Sequence, residues 1–305
     1  MTGDRPPGGA LLADEAGHRP LSDKEFRLFQ ALIHREAGIH LAPAKKALVM
    51  GRLGRRLREL GLKAYGAYYD YVLATGEEEL VRLLDAICTN ETSFFREPRQ
   101  FEFLEQRLFP AWQRAPAGPR RIRVWSAGCA TGEEPYSLAM VLWAHFPPPA
   151  GWEIEIQATD LSSRVLERAR RALWPLEKAQ EIPPRYLKAF MLRGTGPQQG
   201  TMRAGPELRS LVRFARLNLN AETPPALGRF DLLFCRNVLI YFSAEAKARV
   251  IQRLLAHLAP TGHLFLGHAE TLTGVTEQVR SVIPTVYARV GAPEPATRAA
   301  QRDKP

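Results

Sequence analysis

The sequence predicts an α/β protein built on a mainly parallel sheet, preceded by a small all-helical domain and carrying an inserted antiparallel β-subdomain. After Arg120, four apolar strand-like runs alternate with helical segments, which is typical of doubly wound sheets. The runs read IRVWSAG, EIEIQATD, FDLLFCRN and HLFLGH. Before Cys88 the apolar residues recur only at helical spacing. Between residues 183 and 214, Gly and Pro turns break the alternation, which indicates the β-subdomain.

The chain has 305 residues, enough for more than one domain. The helical domain begins at a helix that Ser22 can cap and that continues through Phe26 and Phe29. Both chain ends lack apolar periodicity, so both are expected to be disordered. The expected boundaries are 1–20 for the first tail, 21–88 for the helical domain, 89–119 for a linker, 120–290 for the α/β domain and 291–305 for the second tail.

Charge and cysteine content limit the classes of function. Lys and Arg number 42 against 32 for Asp and Glu, a net charge of +10, which predicts an acidic partner: nucleic acid, an anionic membrane or an acidic protein. Three cysteines without a CxxC pair exclude a disulfide scaffold and a standard zinc site. No apolar run reaches the ~18 residues of a spanning helix. The N-terminus lacks the features of a secretion signal, so we expect a cytoplasmic protein.

A glycine-rich turn follows the first strand of the α/β domain. Gly128 and Gly132 let a ligand approach the backbone closely at this turn. Asp160 ends the next strand, where a carboxylate can accept hydrogen bonds from both hydroxyls of a ribose. Glu133 and Glu134 begin the following helix, where two carboxylates repel a phosphate and favour an amino-bearing ligand. The combination predicts S-adenosylmethionine; the alternative is a tightly packed turn with Asp160 and Glu134 as helix caps.

Four motifs in order carry a resemblance to a known family. They are TNETSFFREP (Thr89 to Pro98), SAGCATGEEPYS (Ser126 to Ser137), FDLLFCRNVLIYF (Phe230 to Phe242) and GHAE (Gly267 to Glu270). With them, residues 21–290 resemble the chemotaxis receptor methyltransferases, the CheR family. The resemblance implies a Rossmann-like class I S-adenosylmethionine-dependent methyltransferase that converts chemoreceptor glutamates to glutamyl methyl esters and releases S-adenosylhomocysteine. In addition to Gly128, it implies cofactor contacts from Asn90, Thr92, Arg96, Glu134, Asp160, Asn218, Leu219, Arg236 and Asn237.

The expected chemistry needs little from the catalytic residues. A glutamate has a pKa of about 4.3 and is already anionic at neutral pH, so no general base is required. The enzyme must instead hold the carboxylate in line with the methyl group and exclude water. Arg96 is expected to clamp the carboxylate, and Tyr241 to donate a hydrogen bond or line the channel. For Tyr241, packing under the sheet edge is the alternative.

A basic helix in the helical domain is the expected receptor-docking surface. Its basic face carries Lys45, Arg52, Arg55 and Arg56. Receptor methylation segments are helical and acidic, and the resemblance implies docking through the helical domain. The alternative is an ordinary solvated face. The resemblance also implies that a receptor C-terminal peptide binds the β-subdomain, although Gly205 and Pro206 interrupt a stretch that is usually continuous in the family.

Other functions remain open from the sequence. A nucleic-acid methyltransferase would explain the net charge and Asn237, but RNVLIYF lacks the Asn-Pro-Pro-aromatic pattern, and no basic patch with interleaved aromatic residues is visible. The target is either a chemoreceptor or another coiled-coil signalling protein. A non-catalytic cofactor-binding module is the third alternative. We expect a monomer with no metal ion, no bound nucleic acid and no membrane insertion.

Overall fold

The computed structural model describes residues 19–114, 120–222, 226–272 and 274–292. The chain forms two compact units, Met1–Thr89 and Asn90–Pro305, which we call the helical unit and the α/β unit. The tails expected to be disordered, 1–20 and 291–305, lie almost wholly outside the described residues. Among the described residues, no helix has both the length and the apolar character needed to cross a membrane.

The described part of the helical unit contains the α-helices α1 (Asp23–Ala37), α2 (Lys46–Leu60), α3 (Tyr65–Thr75) and α4 (Glu77–Ile87). Helix α1 begins at a capping box, in which the Ser22 hydroxyl accepts from the Glu25 N–H and the Glu25 carboxylate accepts from the Ser22 N–H. Helices α1 and α2 each end at a glycine in the left-handed conformation, Gly38 and Gly61. Glycine adopts this conformation more readily than other residues. The expected cap of α1 is confirmed.

A buried carboxylate connects three helices of the helical unit. Glu79 on α4 is 2% exposed. Arg56 on α2 donates to both of its oxygens, at 2.8 and 2.6 Å, and the Tyr68 hydroxyl on α3 donates at 3.0 Å. Burial favours the neutral carboxyl, yet Arg56 and Tyr68 outweigh it and lower the pKa of Glu79. The Glu79 side chain is therefore an ionised tie between α2, α3 and α4.

The α/β unit alternates strands and helices, as its sequence indicates. Its strands are β1 (Arg121–Ala127), β2 (Glu153–Asp160), β3 (Leu173–Pro175), β4 (Met191–Arg193), β5 (Thr201–Ala204), β6 (Val212–Arg216), β7 (Phe230–Cys235), β8 (Leu258–Leu266), β9 (Val279–Ile283) and β10 (Val286–Arg289). Its helices are α5 (Pro98–Phe103), α6 (Phe109–Arg114), α7 (Glu133–His145), α8 (Ser163–Arg171), α9 (Pro184–Phe190), α10 (Pro206–Leu211) and α11 (Ala244–His257).

The main sheet has seven strands in the order β6-β2-β1-β7-β8-β10-β9. The pairs from β6 to β8 are parallel, whereas β10 pairs antiparallel with β8 and β9. Both faces are covered. Val124 and Phe234 pack with α5 to α8 and α10 on one face, and their neighbours Trp125 and Leu233 pack with α11 on the other. This burial on both faces explains the continuous apolar runs of the central strands.

The prediction that residues 89–119 form a linker is wrong for residues 98–114, which are helical. Helix α5, a π-helical turn at Leu104–Leu108 and α6 form one continuous helical stretch. Phe101, Leu104 and Phe109 lie in the core of the α/β unit. Pro110 obscures the helical signal because it has no N–H for the helix ladder, and the wider π-helical turn before it accommodates the proline.

The inserted β-subdomain is present, but its expected limits of 183–214 are wrong at both ends. Strands β3, β5 and β4 form a separate antiparallel sheet that begins at Leu173, while Val212 already belongs to the main sheet. Strand β3 is only three residues long, too short for a visible periodicity. Gly205 and Pro206 do not interrupt a strand: β5 ends at Ala204, and Pro206 is the first residue of α10.

One buried histidine makes the stability of the α/β unit depend on pH. His263 on β8 is 3% exposed, and neither ring nitrogen has a hydrogen-bond partner among the described residues. Burial, with a smaller effect of Arg280, lowers the pKa of His263 to about 4. His263 takes up a proton near pH 6.5 in the unfolded chain but stays neutral in the folded chain. Protonation therefore favours the unfolded chain, and the free energy of unfolding falls as the pH falls from 6.5 towards 4.

Between pH 7 and pH 5 the parent should therefore lose about 2 kcal/mol of unfolding free energy through His263. In His263→Leu this part of the pH dependence should disappear. Urea unfolding of both proteins at the two pH values measures the difference, and the remaining titratable groups cancel because they are the same in both. Parallel pH profiles would mean that folding does not lower the pKa of His263.

Candidate active site

Four parallel strands end at one edge of the main sheet and carry predicted cofactor residues. Along this edge the strand order is β6, β2, β1, β7. Asn218 follows β6, Asp160 ends β2, Gly128 follows β1 and Asn237 follows β7. The strand order reverses at β1, and open α/β sheets bind ligands in the crevice at such a switch point. The structure therefore brings these four residues to one edge, which we call the cofactor edge.

The glycine turn after β1 has an unusual backbone. Gly128, Ala130 and Gly132 have φ angles of 84°, 47° and 97°. The N–H groups of Gly128 and Cys129 both donate to the Thr159 carbonyl oxygen, at 2.7 and 2.9 Å. A Cβ on Gly128 would lie 2.4 Å from Cγ2 of Val238. Glycine at this position is thus required by the left-handed conformation and by the close approach of the next loop.

Asp160 holds the glycine turn from the neighbouring strand. Its side chain is nearly buried, with 6% of the residue exposed. Oδ2 accepts from the Ala130 N–H and Oδ1 from the Ser162 N–H, both at 2.9 Å. The carboxylate is therefore fixed in orientation at the carboxyl end of β2, where the sequence predicts a ribose contact. Each oxygen can accept more than one hydrogen bond, so these bonds are compatible with the predicted ribose contact.

Glu134 and Arg236 form a buried ion pair that the sequence does not predict. Oε2 of Glu134 lies 2.8 Å from Nε of Arg236, and the two side chains are 8% and 2% exposed. Oε1 of Glu134 accepts from the Ser126 hydroxyl at 2.7 Å. Nη1 of Arg236 donates to the Gln100 side chain at 3.0 Å and to the carbonyl oxygen of Arg96 at 2.6 Å. The pair connects β1, β7 and the chain before α5.

Glu133, the other acidic residue at the start of α7, also has a basic partner. Glu133 is 1% exposed, and its Oε1 lies 2.9 Å from Nζ of Lys178. Its Oε2 accepts from the Thr131 hydroxyl at 2.6 Å. The prediction that the carboxylates of Glu133 and Glu134 repel a phosphate did not include such partners, and what Glu134 does towards a ligand stays a prediction. Each carboxylate has a basic partner contributed by a distant part of the chain, which the local sequence does not reveal.

Residues 92–97, which we call the anchored segment, are held by side chains from elsewhere in the α/β unit. Nζ of Lys178 donates to the Thr92 carbonyl oxygen at 3.1 Å. The N–H of Phe94 donates to Glu181 at 2.8 Å, and the N–H of Phe95 donates to the Ser137 hydroxyl at 3.0 Å. Aromatic contacts add to these bonds, since the Phe94 ring packs edge-on against Trp174 and the Phe95 ring stacks on Tyr186.

The backbone on both sides of Arg96 is left-handed, with φ of 49° at Phe95 and 60° at Glu97. Such non-glycine residues persist only where the surroundings fix them. Here the Arg96 carbonyl accepts from Arg236, and Oε1 of Glu97 accepts from the His268 N–H at 2.8 Å. The half-buried Arg96 guanidinium donates to the Glu91 carbonyl at 3.3 Å. Phe94 and Phe95 pack into the core of the α/β unit, whereas Arg96 does not belong to that core.

Two amide oxygens are buried without a hydrogen-bond partner among the described residues: Oδ1 of Asn90 and Oδ1 of Asn237. Asn237 also has a left-handed backbone, with φ of 59°. Buried polar atoms normally find partners, so each of these oxygens calls for a donor that the chain does not supply. An ammonium group is such a donor. Both residues are among those predicted to contact the cofactor.

Three remaining predicted residues lie near the same edge. Asn218 and Leu219 follow β6 after one intervening residue, Leu217, whose N–H donates to the Asp160 carbonyl at 2.9 Å. Oδ1 of Asn218 accepts from the Asn220 N–H at 2.9 Å, which shapes this loop. Tyr241 is half-buried at the end of a 3₁₀ turn, Leu239–Tyr241, that follows Asn237. Their roles towards a ligand stay predictions.

Glu270, the last residue of the GHAE motif, is a buried carboxylate beside Asn237. It is 3% exposed. Oε2 accepts from the N–H groups of Asn237 and Gly267, at 2.9 and 2.6 Å, and Oε1 accepts from those of Val238 and Leu239, at 2.9 and 2.7 Å. No site role for Glu270 was predicted. The only sequence signal was its place in a motif of the family.

The two cysteines near the cofactor edge are not nucleophiles. Burial, with added repulsion from Asp160 and Glu134, raises the pKa of Cys129. Burial and the charges of Glu270 and Glu134 raise the pKa of Cys235. Both remain protonated thiols at neutral pH. Among the described residues no cluster of His, Cys, Asp and Glu is suited to hold a metal ion.

In the helical unit the structure separates the four residues of the predicted docking face. Arg56 is 18% exposed and bound to the buried Glu79, so its assignment to an outward face is wrong. The half-buried Arg52 donates to the Ile87 carbonyl and to the Thr89 hydroxyl. Lys45 and Arg55 are exposed, although Arg55 pairs with Glu59 at 3.1 Å. A helical projection cannot reveal that α4, which carries Glu79, packs against the Arg56 side of α2.

The doubly wound sheet, its glycine turn and the acidic end of β2 define a class I S-adenosylmethionine-dependent methyltransferase. Residues 90–288 match the family model described as CheR methyltransferase, SAM binding domain. Residues 24–88 match the model described as CheR methyltransferase, all-alpha domain. The chain therefore belongs to the CheR methyltransferase family and is an enzyme of that family.

Relatives match over nearly their full length. The chain is 39% identical over 269 residues to chemotaxis protein methyltransferase 2 of Pseudomonas aeruginosa, covering 87% of this chain and 92% of the relative. It is 38% identical over 291 residues to the chemotaxis protein methyltransferase of Escherichia coli, covering 94% and 99%. With the chemotaxis protein methyltransferase of Borreliella burgdorferi the identity is 34% over 271 residues, covering 88% and 94%.

Proposed function

We propose that this methyltransferase transfers the methyl group of S-adenosylmethionine to glutamate side chains of chemoreceptors in the cytoplasm. The products are a glutamyl methyl ester and S-adenosylhomocysteine. Relatives named chemotaxis protein methyltransferases support the substrate class. The structural observation that carries the proposal is the unpartnered, buried amide oxygen of Asn237 at the cofactor edge, which suits an amino-bearing cofactor.

The residues of the cofactor edge fit S-adenosylmethionine, which supplies, when bound, an electrophilic methyl group on a sulfonium. Asp160, with both oxygens already oriented by backbone N–H groups, would accept from the ribose hydroxyls. Asn237 and Asn90 would accept from the amino group through their unpartnered oxygens. Gly128 allows the loop after β7, which carries Asn237, to approach the glycine turn, because a Cβ on Gly128 would meet Val238. Glu134 and Arg236 support this edge through their ion pair.

The acceptor needs positioning more than activation, because a glutamate carboxylate is already anionic at neutral pH. Arg96 is the group proposed to orient it, since the guanidinium fork can hold a carboxylate and the Arg96 backbone is fixed on both sides. Tyr241, on the turn after Asn237, is proposed to line the same place. Too tight a hold on the ground-state anion would slow transfer, so orientation is the main contribution expected of both residues.

The chemical test of the proposal is the nature of the methylated product. The enzyme is incubated with methyl-radiolabelled S-adenosylmethionine and cytoplasmic fragments of chemoreceptors, and the product is then treated with alkali. Carboxyl methyl esters release volatile methanol in base, whereas N-methyl products and methylated nucleic acid do not. Alkali-stable label, or label transferred to nucleic acid in a parallel reaction, would overturn the proposal. Esters formed only on another coiled-coil signalling protein would redirect it to that substrate.

The proposed docking surface is the exposed basic part of α2 and the turn before it. After the correction for Arg56, it consists of Lys45, Arg55 and Arg58, all exposed. Their positive charge complements an acidic receptor helix and would attract it over a range that salt shortens. Arg52 is excluded because it is half-buried and its guanidinium donates to the Ile87 carbonyl and the Thr89 hydroxyl.

Replacing Lys45, Arg55 and Arg58 together by Ala should raise the Michaelis constant for receptor fragments about 10-fold at low salt, because long-range attraction is lost. S-adenosylhomocysteine affinity should not change, since the cofactor edge belongs to the α/β unit. The control is Arg168→Ala/Arg171→Ala, which removes two exposed charges from α8. The measurement is the Michaelis constant for receptor fragments at several salt concentrations. If it depends on salt equally in the parent and the triple variant, these residues form an ordinary solvated face and not a docking surface.

The β-subdomain is proposed to bind a receptor C-terminal peptide, with the enzyme acting as a monomer. Leu173, Arg203 and Leu192 lie opposite one another across β3, β5 and β4, and all three are exposed. This apolar and basic row, on a sheet that Gly205 and Pro206 leave intact, supports a peptide site. Titration with peptides from receptor C-termini, and sedimentation of the free enzyme, test the two statements.

A further inference from the structure

Glu270, the carboxylate of the GHAE motif, is not among the groups proposed to contact the cofactor or the acceptor. Glu270 is buried, and among the described residues its partners are backbone N–H groups of Asn237, Val238, Leu239 and Gly267 rather than a cation. Hydrogen bonds from N–H groups to a carboxylate are shorter and stronger than those between neutral groups. One side chain thus fixes three successive residues after β7 and ties them to the loop after β8.

The first of these residues is Asn237, whose backbone is left-handed, with φ of 59°. The loop after β8 makes room for its side chain, because a Cβ on Gly267 would lie 2.6 Å from the Asn237 backbone nitrogen and 2.7 Å from Nδ2. Glu270 holds both Asn237 and Gly267 through Oε2. The backbone and the amide group of Asn237 are therefore placed together, with Oδ1 left unpartnered at the cofactor edge.

Glu270 also holds the backbone N–H groups of the next two residues, Val238 and Leu239. Val238, held by Oε1 of Glu270 at 2.9 Å, packs so closely on the glycine turn that a Cβ on Gly128 would meet it at 2.4 Å. Leu239, held at 2.7 Å, begins the turn that ends at Tyr241. The carboxylate therefore controls the distance between the loop after β7 and the glycine turn, and also the start of the turn that carries Tyr241.

We infer that Glu270 is a positioning residue for methyl transfer: it acts through Asn237 and the turn ending at Tyr241, and so sets where the cofactor and the acceptor carboxylate meet. The inference rests on the proposed function for the identity of the acceptor. The placement of Asn237 towards the cofactor does not depend on the acceptor. A purely structural Glu270 would affect folding without a specific effect on turnover or on cofactor affinity.

The test begins with Glu270→Gln, which keeps the shape but replaces one acceptor oxygen by an NH₂ group that faces N–H donors. Turnover with receptor fragments should fall about 100-fold, because small misplacements of reacting groups have effects of this size. S-adenosylhomocysteine affinity, measured by calorimetry, should fall about 10-fold, as expected for buried donors left without an acceptor. The Michaelis constant for receptor should stay within about 2-fold, since the docking surface lies in the helical unit.

The decisive measurement is a double-mutant cycle with Asn237→Ala. If Glu270 acts through Asn237, adding Glu270→Gln to Asn237→Ala should lower S-adenosylhomocysteine affinity by less than about 3-fold, because the positioned group is already gone. Losses of affinity that multiply in the double variant would overturn the inference. Parent-like turnover and affinity in Glu270→Gln would overturn it as well. Should Glu270→Gln fail to fold, the same cycle is run with Glu270→Asp, which keeps the charge on a shorter side chain.

The matched control is Asp231→Asn at the opposite end of β7. Asp231 is a half-buried carboxylate that accepts from a backbone N–H, that of Arg123 at 2.8 Å, away from the cofactor edge. This variant should change the unfolding temperature and leave turnover and cofactor affinity unchanged. Failure of the proposed function is distinguishable, because it would appear as a parent enzyme that forms no methyl ester. In that case the calorimetric cycle still decides the role of Glu270.

Discussion

Arg236→Met is expected to destabilise the α/β unit by about 3–5 kcal/mol, because it leaves the buried Glu134 carboxylate without its basic partner. Arg236 and Glu134 are 2% and 8% exposed, so water cannot take the place of the guanidinium. The substitution also removes the donor to the Arg96 carbonyl and to Gln100, and thereby loosens the anchored segment. Urea unfolding followed by tryptophan fluorescence measures the loss.

The control for this prediction is the double variant Glu134→Gln/Arg236→Met, in which neither side chain is charged. A glutamine at 134 can still bond to the Ser126 hydroxyl, which donates to Glu134 in the parent. The double variant should therefore recover about 2 kcal/mol relative to Arg236→Met alone. If the two substitutions are additive, the stability of this region does not come from the pairing of the two charges.

Gly128→Ala is expected to lower S-adenosylhomocysteine affinity by at least about 100-fold, which corresponds to about 2.7 kcal/mol of binding free energy. The methyl group would enter a backbone with φ of 84° and would lie 2.4 Å from Cγ2 of Val238. Relief requires the stiff Val238 side chain to rotate or the loop after β7 to move, and this loop carries Asn237 and is held by Glu270. Calorimetry on the folded variant measures the affinity.

Gly151→Ala separates backbone strain from crowding. Gly151 has φ of 88°, close to that of Gly128, but the nearest atom to an added Cβ is 3.9 Å away on Arg120. It lies just before the amino end of β2, whereas the cofactor edge lies at the carboxyl ends of the strands. This variant should lose about 1 kcal/mol of stability from the left-handed strain and keep its cofactor affinity. Equal loss of affinity in both variants would contradict the steric explanation for Gly128.

The central strands were predictable from the sequence because they are buried on both faces. Runs such as IRVWSAG and FDLLFC contain the apolar residues that both cores require. The edge strands were not predicted as members of the main sheet. Strand β6 reads VRFAR and β9 reads VRSVI, and both contain half-buried or exposed residues throughout most of their length. Pairing with β2 and β10 makes them strands, and a local pattern does not contain that information.

The residues of the site were predictable where a strand end fixes them. Gly128 and Asp160 follow from the turn and from the end of β2, and strand pairing brings them together. The partners of these residues were not predictable. Lys178 neutralises Glu133 from the inserted region, and Gln100 donates to the Leu266 carbonyl across 166 positions of sequence. Such contacts arise only when the sheet and its helices have assembled, so spacing along the chain does not reveal them.

The anchored segment is expected to resist proteolysis in the native enzyme. Proteases need several residues of extended, detachable backbone around the bond that they cleave. Within residues 92–97, the carbonyl oxygens of Thr92 and Arg96 and the N–H groups of Phe94 and Phe95 are all bonded to distant side chains. Chymotrypsin at the two phenylalanines and trypsin at Arg96 should therefore fail on the native enzyme. We expect limited proteolysis to cut before this segment instead, around the exposed Thr89 and Glu91.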